Sequence, residues 1–408
     1  MSTTTQVAPE YPKIKSHFDT NGFVWSRKVS GRKPRLLFLI TEDWYFRSHR
    51  LDLARQAQMA GMEVFVSTLV DDGGKWIKDE GFTYLPIPFV KGSRNPFREM
   101  QAIHRLTLLY RQVRPDIVHQ VAMKPILYGS LAARVAKIPC VVNAFGGLGH
   151  VFTADGAACR MLRMGLKVGL RTALAIPNSR IVVQTQNDGE RLSKEGIVRR
   201  NRTVVIRGVG VDMTMFTPQL KESRDPVILH ASRMIWSKGV GDFVKAAKLL
   251  KQRGVNARFV LVGRTDPAAP HAISEPQLLA WQKEGVVEWW GHRDDMPNVI
   301  GSAWVVVLPT FYGEGIPKIL IEACACGKPV ITTPIPGCSD IVRDGENGFI
   351  IPQKDPLALA KAIQVLVENP DLRLRFGIRG REIVVDEFAS QRMARQTLAV
   401  YQELLEHC

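Results

Sequence analysis

Residues 309–329, PTFYGEGIPKILIEACACGKP, combine a glycine-containing loop with the predicted start of a helix. A buried strand is predicted to end near position 309, Gly313 and Gly315 lie in the loop that follows, and Pro317 occupies the predicted first position of the helix. A proline is favoured at that position because its missing N–H would have no helical partner there. The free N–H groups of a helix that begins at the carboxyl end of a parallel strand suit a bound diphosphate.

Two carboxylates frame this turn, Glu314 in the loop and Glu322 on the predicted helix. A carboxylate accepts hydrogen bonds from paired hydroxyl groups, such as those of a ribose or a hexose. The alternative is that Glu322 is a solvated helix residue and that Glu314 interacts only with the helix dipole, an effect worth about 0.3–1 kcal/mol. The two residues alone leave both interpretations open.

Two cations five positions apart, Arg233 and Lys238, follow another predicted strand within the segment 229–240, LHASRMIWSKGV. Both side chains can reach one diphosphate from the carboxyl end of a strand, since arginine offers a bidentate fork and lysine a point charge. Most such pairs simply lie on the surface. This pair is predicted at the ligand-binding edge of the same sheet as the glycine turn, which favours a diphosphate site.

Short apolar runs alternate with amphipathic stretches through most of the sequence, which predicts parallel sheets with right-handed helical crossovers. The predicted strands of the first half are 35–40, 62–69, 116–121, 140–144 and 180–185, with helices that include 47–60, 97–112 and 125–136. The predicted strands of the second half are 226–232, 257–263, 285–290, 303–309 and 329–333, followed by helices at 356–367, 370–385 and 389–406.

This pattern predicts an α/β protein with two doubly wound, Rossmann-like domains and a helical C-terminal tail. Residues 1–30 are expected to form a flexible leader, 31–206 the first domain and 207–224 a linker rich in glycine, proline and polar residues. Residues 225–385 are expected to form the second domain, which contains the glycine turn. Residues 386–408 are expected to form a helix that packs back on the first domain.

Four segments of the second half occur in one order: ASRMIWSKGV, LVGR at 261–264, WWGHRDDMPNVI at 289–300 and YGEGIPKILIEACACGKPVITTPIPGCSDIV at 312–342. Together they resemble the donor half of the retaining glycosyltransferases of family 4. In the first half, FLITEDWYFRSHRLDLA, DIVHQVAMKP and FGGLGHVFTA are similar to family members that build capsular polysaccharide, O-antigen and related lipid-linked glycans. The resemblance implies the GT-B fold, in which two Rossmann-like domains face a central cleft.

The resemblance also implies roles for the residues above. Arg233 and Lys238 would clamp the diphosphate of a nucleotide-sugar donor, Glu322 would bind its ribose, and Glu314 would contact the donor sugar. Arg233, Lys238 and Glu314 are the implied catalytic residues. The other implied donor-binding positions are Gly291, Arg293, Gly315, Ile316 and Lys318. Many family members carry paired glycines in the first strand-to-helix loop, where this chain has TEDW at 41–44, so contacts from that loop are not carried over.

The first half contains candidate residues for an acceptor. The loop GGLGH at 146–150 follows a predicted strand, where glycine would allow a ligand to approach the backbone, although a plain flexible loop has the same composition. Two histidines and a lysine lie near predicted strand or helix ends, and the lysine is placed to meet an acceptor phosphate. A lone histidine is more often a structural residue. The candidate acceptor-side positions are His49, His119, Lys124, Gly147 and Gly149.

The charge of the chain is unevenly distributed. Residues 1–215 carry 32 Lys and Arg against 17 Asp and Glu, a net +15, whereas residues 216–408 carry 23 against 22. The first half is therefore expected to face a phospholipid surface, a diphosphate-bearing acceptor or nucleic acid. One helical stripe within 157–175 is basic and amphipathic, which is typical of a helix at an anionic membrane interface; the alternative is a core-facing helix with a solvated basic side. The candidate membrane-facing cations are Arg160, Arg163, Lys167 and Arg171.

The composition also bears on metal sites, on secretion and on membrane-spanning segments. The six cysteines, at 140, 159, 324, 326, 338 and 408, have no metal-binding spacing, and neither a metal nor a cofactor other than the donor substrate is predicted. The first ten residues lack the pattern of a secretory signal, and no run of eighteen uncharged apolar residues is present. The expected location is the cytoplasm, with peripheral attachment to the inner face of the cell membrane.

These observations predict a metal-independent hexosyl- or N-acetylhexosaminyltransferase, which moves a sugar from a UDP-linked donor to a polyprenyl-diphosphate-linked glycan. A sugar-nucleotide epimerase of the same fold is an alternative, although it would need acid and base groups against the sugar. A nucleic-acid-binding protein is suggested only by the charge, since no zinc finger, RNP-like motif or stacking platform is found, and nucleic acid is not an expected partner. No GxGxxG opens either domain, which argues against a dinucleotide oxidoreductase.

Overall fold

The computed structural model describes residues 32–69, 74–87, 95–147, 157–219, 225–266, 269, 271–311, 313 and 315–408, without the side chains of residues 96 and 157–163. Within these ranges the chain forms two compact units. One unit contains Gly210–Ala389, and the other contains the described residues from 32 to 209 together with Ser390–Cys408. None of the helices in the described ranges is long and apolar enough to cross a membrane.

The N-terminal unit is built on a seven-stranded parallel sheet with the strand order β3-β2-β1-β4-β5-β6-β7. Its strands are β1 (Arg35–Glu42), β2 (Glu63–Leu69), β3 (Thr83–Pro86), β4 (Ile117–Val121), β5 (Cys140–Ala144), β6 (Ser179–Val183) and β7 (Thr203–Val205). Phe38 of β1 is in register with Val66 of β2 on one side and with His119 of β4 on the other. A central parallel strand is buried on both faces, which explains the nearly continuous apolar run of β1.

Helices cover both faces of this sheet. Leu37 of β1 packs on one face with Tyr110 and Ala132 of two helices, while Phe38 packs on the opposite face with Leu398 near the end of the chain. The helices of this unit are α1 (Asp43–His49), α2 (Leu51–Met59), α3 (Lys75–Asp79), α4 (Pro96–Val113), α5 (Met123–Ala136), α6 (Ala157–Ala173), α7 (Gln186–Lys194) and the last helix of the chain, Ser390–Glu406.

The last helix of the chain completes the core of the N-terminal unit. Leu398, Tyr401 and Leu404 are buried among residues of β1, β4 and α2. The side chain of Asn178 donates to the carbonyl of Leu404 (3.1 Å), and Arg180 of β6 pairs with Glu403. The N-terminal unit is thus made from two separate stretches of chain.

The C-terminal unit is built on a six-stranded parallel sheet with the order β10-β9-β8-β11-β12-β13. Its strands are β8 (Val227–Ala231), β9 (Arg258–Val262), β10 (Glu288–Trp289), β11 (Val305–Leu308), β12 (Val330–Thr332) and β13 (Gly348–Ile350). Its helices are α8 (Val240–Gln252), α9 (Glu275–Lys283), α10 (Met296–Ser302), α11 (Lys318–Ala325), α12 (Pro336–Ser339), α13 (Pro356–Glu368) and α14 (Pro370–Glu387), so the helix Ser390–Glu406 is α15.

Part of the predicted linker 207–224 belongs to the core of the C-terminal unit. Val211, Met213 and Phe216 are buried there. The amide of Val211 donates to the carbonyl of Phe388 (2.9 Å), and the buried guanidinium of Arg381 donates to the carbonyl of Phe216 (3.0 Å). The segment was predicted to be a linker because most of its residues are glycine, proline or polar, although three apolar residues anchor it in the core.

Two features of the secondary structure differ from the prediction. The helix expected over 47–60 is two helices, α1 and α2, separated at Arg50, whose φ of −133° and ψ of −9° are not helical. The sequence also missed β3, β7 and β13. Each is an edge strand of three or four residues, too short to show the apolar run of a buried strand.

Candidate functional site

Arg233 and Lys238 lie on the segment that connects β8 to α8, at the carboxyl edge of the C-terminal sheet. Neighbouring strand ends hold this segment from both sides. Its backbone accepts a hydrogen bond from the amide of Phe311 after β11 (3.0 Å) and donates one to the carbonyl of Arg264 after β9 (3.0 Å). Arg233 is exposed and pairs with no carboxylate in the described part of the chain, while Lys238 is half-buried. The structure therefore brings both cations to one short, well-anchored segment.

Two glycines allow this segment to approach the neighbouring strand ends. Gly239, with a φ of +77°, lies so close to β11 that an added Cβ would be 2.1 Å from the carbonyl oxygen of Pro309. On the other side, a Cβ on Gly263 would be 1.8 Å from the carbonyl oxygen of Ser232. Any side chain at either position would displace the backbone that carries the two cations.

Helix α11 begins beside this segment, after the glycine loop that follows β11. The predicted position of Pro317 as the first helical residue is wrong by one residue, because its ψ of 115° makes it the N-cap and Lys318 the first residue of the helix. Gly315 and Ile316 are buried just before it. The amides of Lys318 and Ile319 have no preceding helical carbonyl within reach, which makes this helix start a site for an anion.

Glu322 lies on the second turn of α11 and is buried, with 7% of its surface exposed. The interpretation of Glu322 as a solvated helix residue is therefore wrong. Its Oε1 atom lies 2.9 Å from Nζ of Lys318, and this pairing offsets the free energy that burial of a lone carboxylate would cost. A carboxylate has about four acceptor positions on its two oxygens, so an ion pair with Lys318 leaves room for a hydroxyl donor.

Gly291 and Arg293 follow β10 at the same edge of the sheet. The carbonyl of Gly291 accepts a hydrogen bond from the amide of Gly263 (2.7 Å). The guanidinium of Arg293 forms two hydrogen bonds with Asp295 (2.7 Å each) and lies 6.0 Å from the ring centre of Trp290. Because Asp295 engages this side chain, the backbone of 291–293 is the part that remains suited to flank a ligand.

His230 lies behind Arg233 and was not singled out from the sequence. Its Nε2 atom is 2.9 Å from the hydroxyl of Ser232, which itself donates to the carbonyl of Arg233 (2.9 Å). Burial, and then the charge of Lys238, lower the pKa of His230 to about 3. The imidazole is therefore neutral and shares a hydrogen bond with the hydroxyl of Ser232. The sequence could have indicated this residue, because His230 is a histidine in a predicted buried strand, three positions before Arg233.

Glu314 and Gly149 lie outside the described residues. The expected contact of Glu314 with the donor sugar and the expected role of Gly149 therefore stay predictions.

Aromatic side chains gather on α1, at the carboxyl edge of the N-terminal sheet. The rings of Tyr45 and His49 stack with centres 4.0 Å apart, and Trp44 meets Tyr45 edge-on at 5.7 Å. A Cβ on Gly146 would lie 2.9 Å from the Tyr45 hydroxyl. Tyr45 thus contacts both His49 and the loop that contains Gly147. These two candidates for the acceptor side therefore lie close together. The sequence did not single out Tyr45, although it is four positions from His49 on one helix.

No loop separates β1 from α1, at the position where the resemblance described above implies paired glycines. β1 continues to Glu42, and α1 begins at the next residue, Asp43. Trp44 is 55% exposed, and its indole N–H donates to the carboxylate of Glu42.

Lys124 is engaged within the N-terminal unit. Its Nζ atom lies 2.8 Å from a carboxylate oxygen of Glu99 on α4 and 5.4 Å from the ring centre of Tyr128. Burial and the same carboxylate raise the pKa of Tyr128 above its ordinary value. An acceptor phosphate that meets Lys124 would therefore share it with Glu99.

His119 lies inside the sheet rather than at its edge. It is the third residue of β4, is 2% exposed, and its Nδ1 atom is 2.5 Å from the hydroxyl of Tyr401 on α15. Burial, and then the charge of Arg50, lower the pKa of His119 well below its ordinary value. The structure thus separates His119 from the aromatic group on α1 and shows it as a neutral contact between β4 and α15.

The four cations of the predicted membrane-facing stripe lie on α6. Lys167 forms an ion pair with Glu195 (2.6 Å), so its charge is neutralised within the N-terminal unit. Arg171 is exposed. The side chains of Arg160 and Arg163 lie outside the described part of the structure.

Two parallel, doubly wound units, one of which places two cations and a helix start at the carboxyl edge of its sheet, are the architecture of the GT-B fold. Family comparisons agree: residues 35–176 match the model for "Glycosyl transferase 4-like" and residues 225–369 the model for "Glycosyl transferases group 1". The two matches together span most of the chain, which belongs to the GT-B glycosyltransferases of family 4.

Individual relatives are similar over nearly the whole chain. The N,N'-diacetylbacillosaminyl-diphospho-undecaprenol alpha-1,3-N-acetylgalactosaminyltransferase of Campylobacter jejuni is 27% identical, over 85% of this chain and 92% of that enzyme. The fold matches that of a glycosyltransferase from Rickettsia africae with a TM-score of 0.75 and 20% identity, over 92% of this chain and 100% of that one. It also matches Anabaena HepE in complex with UDP and glucose, with a TM-score of 0.71 and 18% identity, over 89% of this chain and 98% of HepE. The epimerase alternative gains no support from these proteins.

Proposed function

We propose that this chain transfers a hexosyl or N-acetylhexosaminyl group from a UDP-sugar to a polyprenyl-diphosphate-linked glycan, with retention of configuration, in the biosynthesis of a cell-surface polysaccharide. The observation that carries the donor half of the proposal is the presence of Arg233, Lys238, the start of α11 and the buried Glu322 at one edge of the C-terminal sheet. The acceptor half is supported by the Campylobacter relative, whose name specifies a diphospho-undecaprenol-linked sugar.

The proposed reaction places charge on the departing diphosphate. The bond between C1 of the sugar and the β-phosphate oxygen breaks, and the acceptor hydroxyl bonds to C1 on the same face while its proton passes to a phosphate oxygen. Arg233, Lys238 and the amides at the start of α11 stabilise the negative charge where it develops. These groups perform the work of a metal ion, so the proposed transfer is metal-independent. Glu322 holds the ribose, and Glu314 contacts the donor sugar.

The proposed acceptor explains the charge of the N-terminal half. A net charge of +15 over residues 1–215 attracts an anionic membrane surface, where a lipid-linked acceptor resides. We therefore place the enzyme at the inner face of the cell membrane as a peripheral protein, with His49 and Gly147 on the acceptor side and without nucleic acid as a partner. The alternative is that α6 faces the core and that its basic side is solvated, without contact to a membrane.

Calorimetric titration with UDP, without added metal, tests the donor half. Arg233→Ala and Glu322→Ala are each expected to lower the affinity at least tenfold, since each removes a charged hydrogen-bond partner worth about 1.5–3 kcal/mol. Arg253→Ala and Glu284→Ala are the matched controls. Both residues are exposed in the same unit, next to the loops that follow α8 and α9, and both should leave UDP affinity unchanged.

Two outcomes would contradict the proposal. Folded wild-type protein that binds no nucleoside diphosphate would remove the donor site. Conversion of a UDP-sugar to its epimer in the absence of any acceptor would replace the transferase with the epimerase.

A further inference from the structure

Two cysteines that are far apart in the sequence meet where the end of α15 packs on the N-terminal sheet. Cys140 is the first residue of β5 and is fully buried, whereas Cys408 follows α15 and is exposed. The other described cysteine side chains, at positions 324, 326 and 338, are buried in the C-terminal unit. Among the described thiols, that of Cys408 is therefore the one that a reagent in solution reaches directly.

The side chain of Asn178 lies between the two thiols. Its Nδ2 atom is 3.4 Å from Sγ of Cys140 and 2.9 Å from Sγ of Cys408. The carbonyl oxygen of Leu404 is shared in the same way, at 3.5 Å from Sγ of Cys140 and 3.3 Å from Sγ of Cys408. Because both sulfur atoms contact the same nitrogen and the same oxygen, the two thiols are immediate neighbours.

The packing of α15 on the sheet holds the two cysteines in this position. Cys140 is in register with Ile117 of β4, and it shares a core with the buried side chain of Leu404. The amides of His407 and Cys408 donate to the carbonyls of Leu404 (3.3 Å) and Leu405 (3.4 Å), respectively. The chain beyond Leu404 therefore continues the turns of the helix and keeps Cys408 beside β5.

The two thiols differ in their access to reagents. The thiolate, rather than the thiol, is the nucleophile in disulfide exchange. Burial, and then a hydrogen bond with Cys408, raise the pKa of the Cys140 thiol above its ordinary value. Cys140 is therefore inert towards reagents in solution and reacts only with a sulfur atom that is brought to it. Cys408 is exposed on one side and contacts this buried pair of groups on the other.

We propose that Cys140 and Cys408 form a disulfide by exchange with a low-molecular-weight disulfide, represented by oxidised glutathione. The thiolate of Cys408 attacks one sulfur of the glutathione disulfide, whose S–S bond breaks and releases one glutathione. The thiolate of Cys140 then attacks the Cys408 sulfur, and the second glutathione leaves. Each departing glutathione takes up the proton that a cysteine has lost, so two electrons and two protons pass from the protein to the reagent.

The bond joins the two separate stretches of chain that make up the N-terminal unit. The loop between the two cysteines contains the whole of Gly210–Ala389. A disulfide that closes a long loop restricts the unfolded chain strongly and so favours the folded state. Arg233 and Glu322 lie in the other unit, so the proposed disulfide is independent of the proposed donor site.

A shift of the exposed thiol by one residue provides a matched test. The full chain is equilibrated with a mixture of oxidised and reduced glutathione, and disulfide-linked peptides are identified by mass spectrometry. The control combines His407→Cys with Cys408→Ser, which keeps the number of cysteines and uses an adjacent exposed position. Cys408→Ser alone gives the background of other linkages. UDP titration of each variant verifies that it is folded.

The expected result is a wild-type monomer in which Cys140 and Cys408 are joined, with a ratio of disulfide to dithiol at least about tenfold above that of the control. Oxidation should raise the urea midpoint of the wild type by about 1 M and leave that of Cys408→Ser unchanged. Equal ratios in the wild type and the control would overturn the proposal. So would a Cys408 that stays in a mixed disulfide with glutathione, or one that joins a second copy of the chain.

Discussion

The carboxylate of Glu322 and the ammonium group of Lys318 lie 2.9 Å apart on α11. The two residues are one helical turn apart on α11, which begins at the candidate donor site. Glu322 is almost completely buried. Lys318 therefore orients Glu322 and offsets the cost of its burial, because an unpaired carboxylate in this position would be costly. A carboxylate held in one orientation can accept hydrogen bonds from a pair of hydroxyls.

This geometry predicts that Glu322 recognises the sugar of the nucleotide. Wild-type protein should bind UDP at least about tenfold more tightly than 2′,3′-dideoxy-UDP, since two charge-assisted hydrogen bonds are lost with the hydroxyls. The Glu322→Gln variant should bind both nucleotides with similar, weaker affinity. Calorimetric titration of the four combinations measures the coupling. An unchanged preference for UDP in the variant would assign the ribose to another residue.

The close approach at Gly239 predicts a large effect of a single methyl group. Gly239 and Gly254 have nearly equal φ angles, +77° and +76°, but only Gly239 would place its Cβ against a backbone atom, at 2.1 Å from the carbonyl oxygen of Pro309. Gly254→Ala should lower the free energy of unfolding by about 1 kcal/mol, the cost of a left-handed alanine. Gly239→Ala should lower it by at least about 3 kcal/mol and weaken UDP binding. Equal losses in urea unfolding would show that the contact with β11 is unimportant.

The neutral His230 predicts how stability changes with pH. Its pKa of about 3 lies below the value of about 6.5 expected in the unfolded chain. The unfolded state therefore binds the proton first, and the free energy of unfolding falls as the pH drops from about 6.5 to about 3, by up to about 1.4 kcal/mol per pH unit. Urea unfolding of wild type and His230→Gln across this range should give a shallower slope for the variant. Parallel slopes would mean that His230 takes up its proton in the folded state.

A buried arginine on α14 predicts a strong effect on stability without one on chemistry. Arg373 donates to the carbonyls of Leu366 (2.7 Å) and Val367 (2.9 Å) at the end of α13 and stacks on Trp304 at 4.0 Å. Arg373→Met should lower the free energy of unfolding by about 2–4 kcal/mol, because one buried and one partly buried carbonyl lose a charged donor. Arg375→Met, at an exposed position of the same helix, should change it by less than about 0.5 kcal/mol. Similar effects of both substitutions in thermal unfolding would argue against this role of Arg373.

The central elements of both sheets could be predicted from the sequence, and three of the four edge strands could not. β1, β4, β5, β8 and β11 are apolar enough to be recognised individually, since parallel strands are buried on both faces. The short edge strands β3, β7 and β13 depend on pairing with a neighbour, which the local sequence does not show. The break between α1 and α2 at Arg50 also follows from tertiary packing rather than from a glycine or proline.

For the candidate donor site, the sequence predicted which residues gather but not their partners. The placement of Arg233 and Lys238 at the ligand-binding edge follows from the strand-to-helix pattern, whereas their roles in binding and catalysis stay predictions. The ion pair of Glu322 with Lys318 and the position of His230 behind Arg233 require coordinates. For His119, the sequence predicted the wrong environment. Its position near a predicted strand end indicated an acceptor-side residue, whereas the structure buries it against Tyr401.

Helix α15 also determines when each half of the protein can mature during translation. Leu398 and Tyr401 fill the core of the unit that contains β1, yet the ribosome adds them only after the whole of Gly210–Ala389. The C-terminal unit can therefore close its core while the N-terminal one still exposes the apolar face of its sheet. The first half of the chain to be synthesised is the last to finish folding, and a nascent or truncated chain that stops before residue 390 should be held by chaperones at that face.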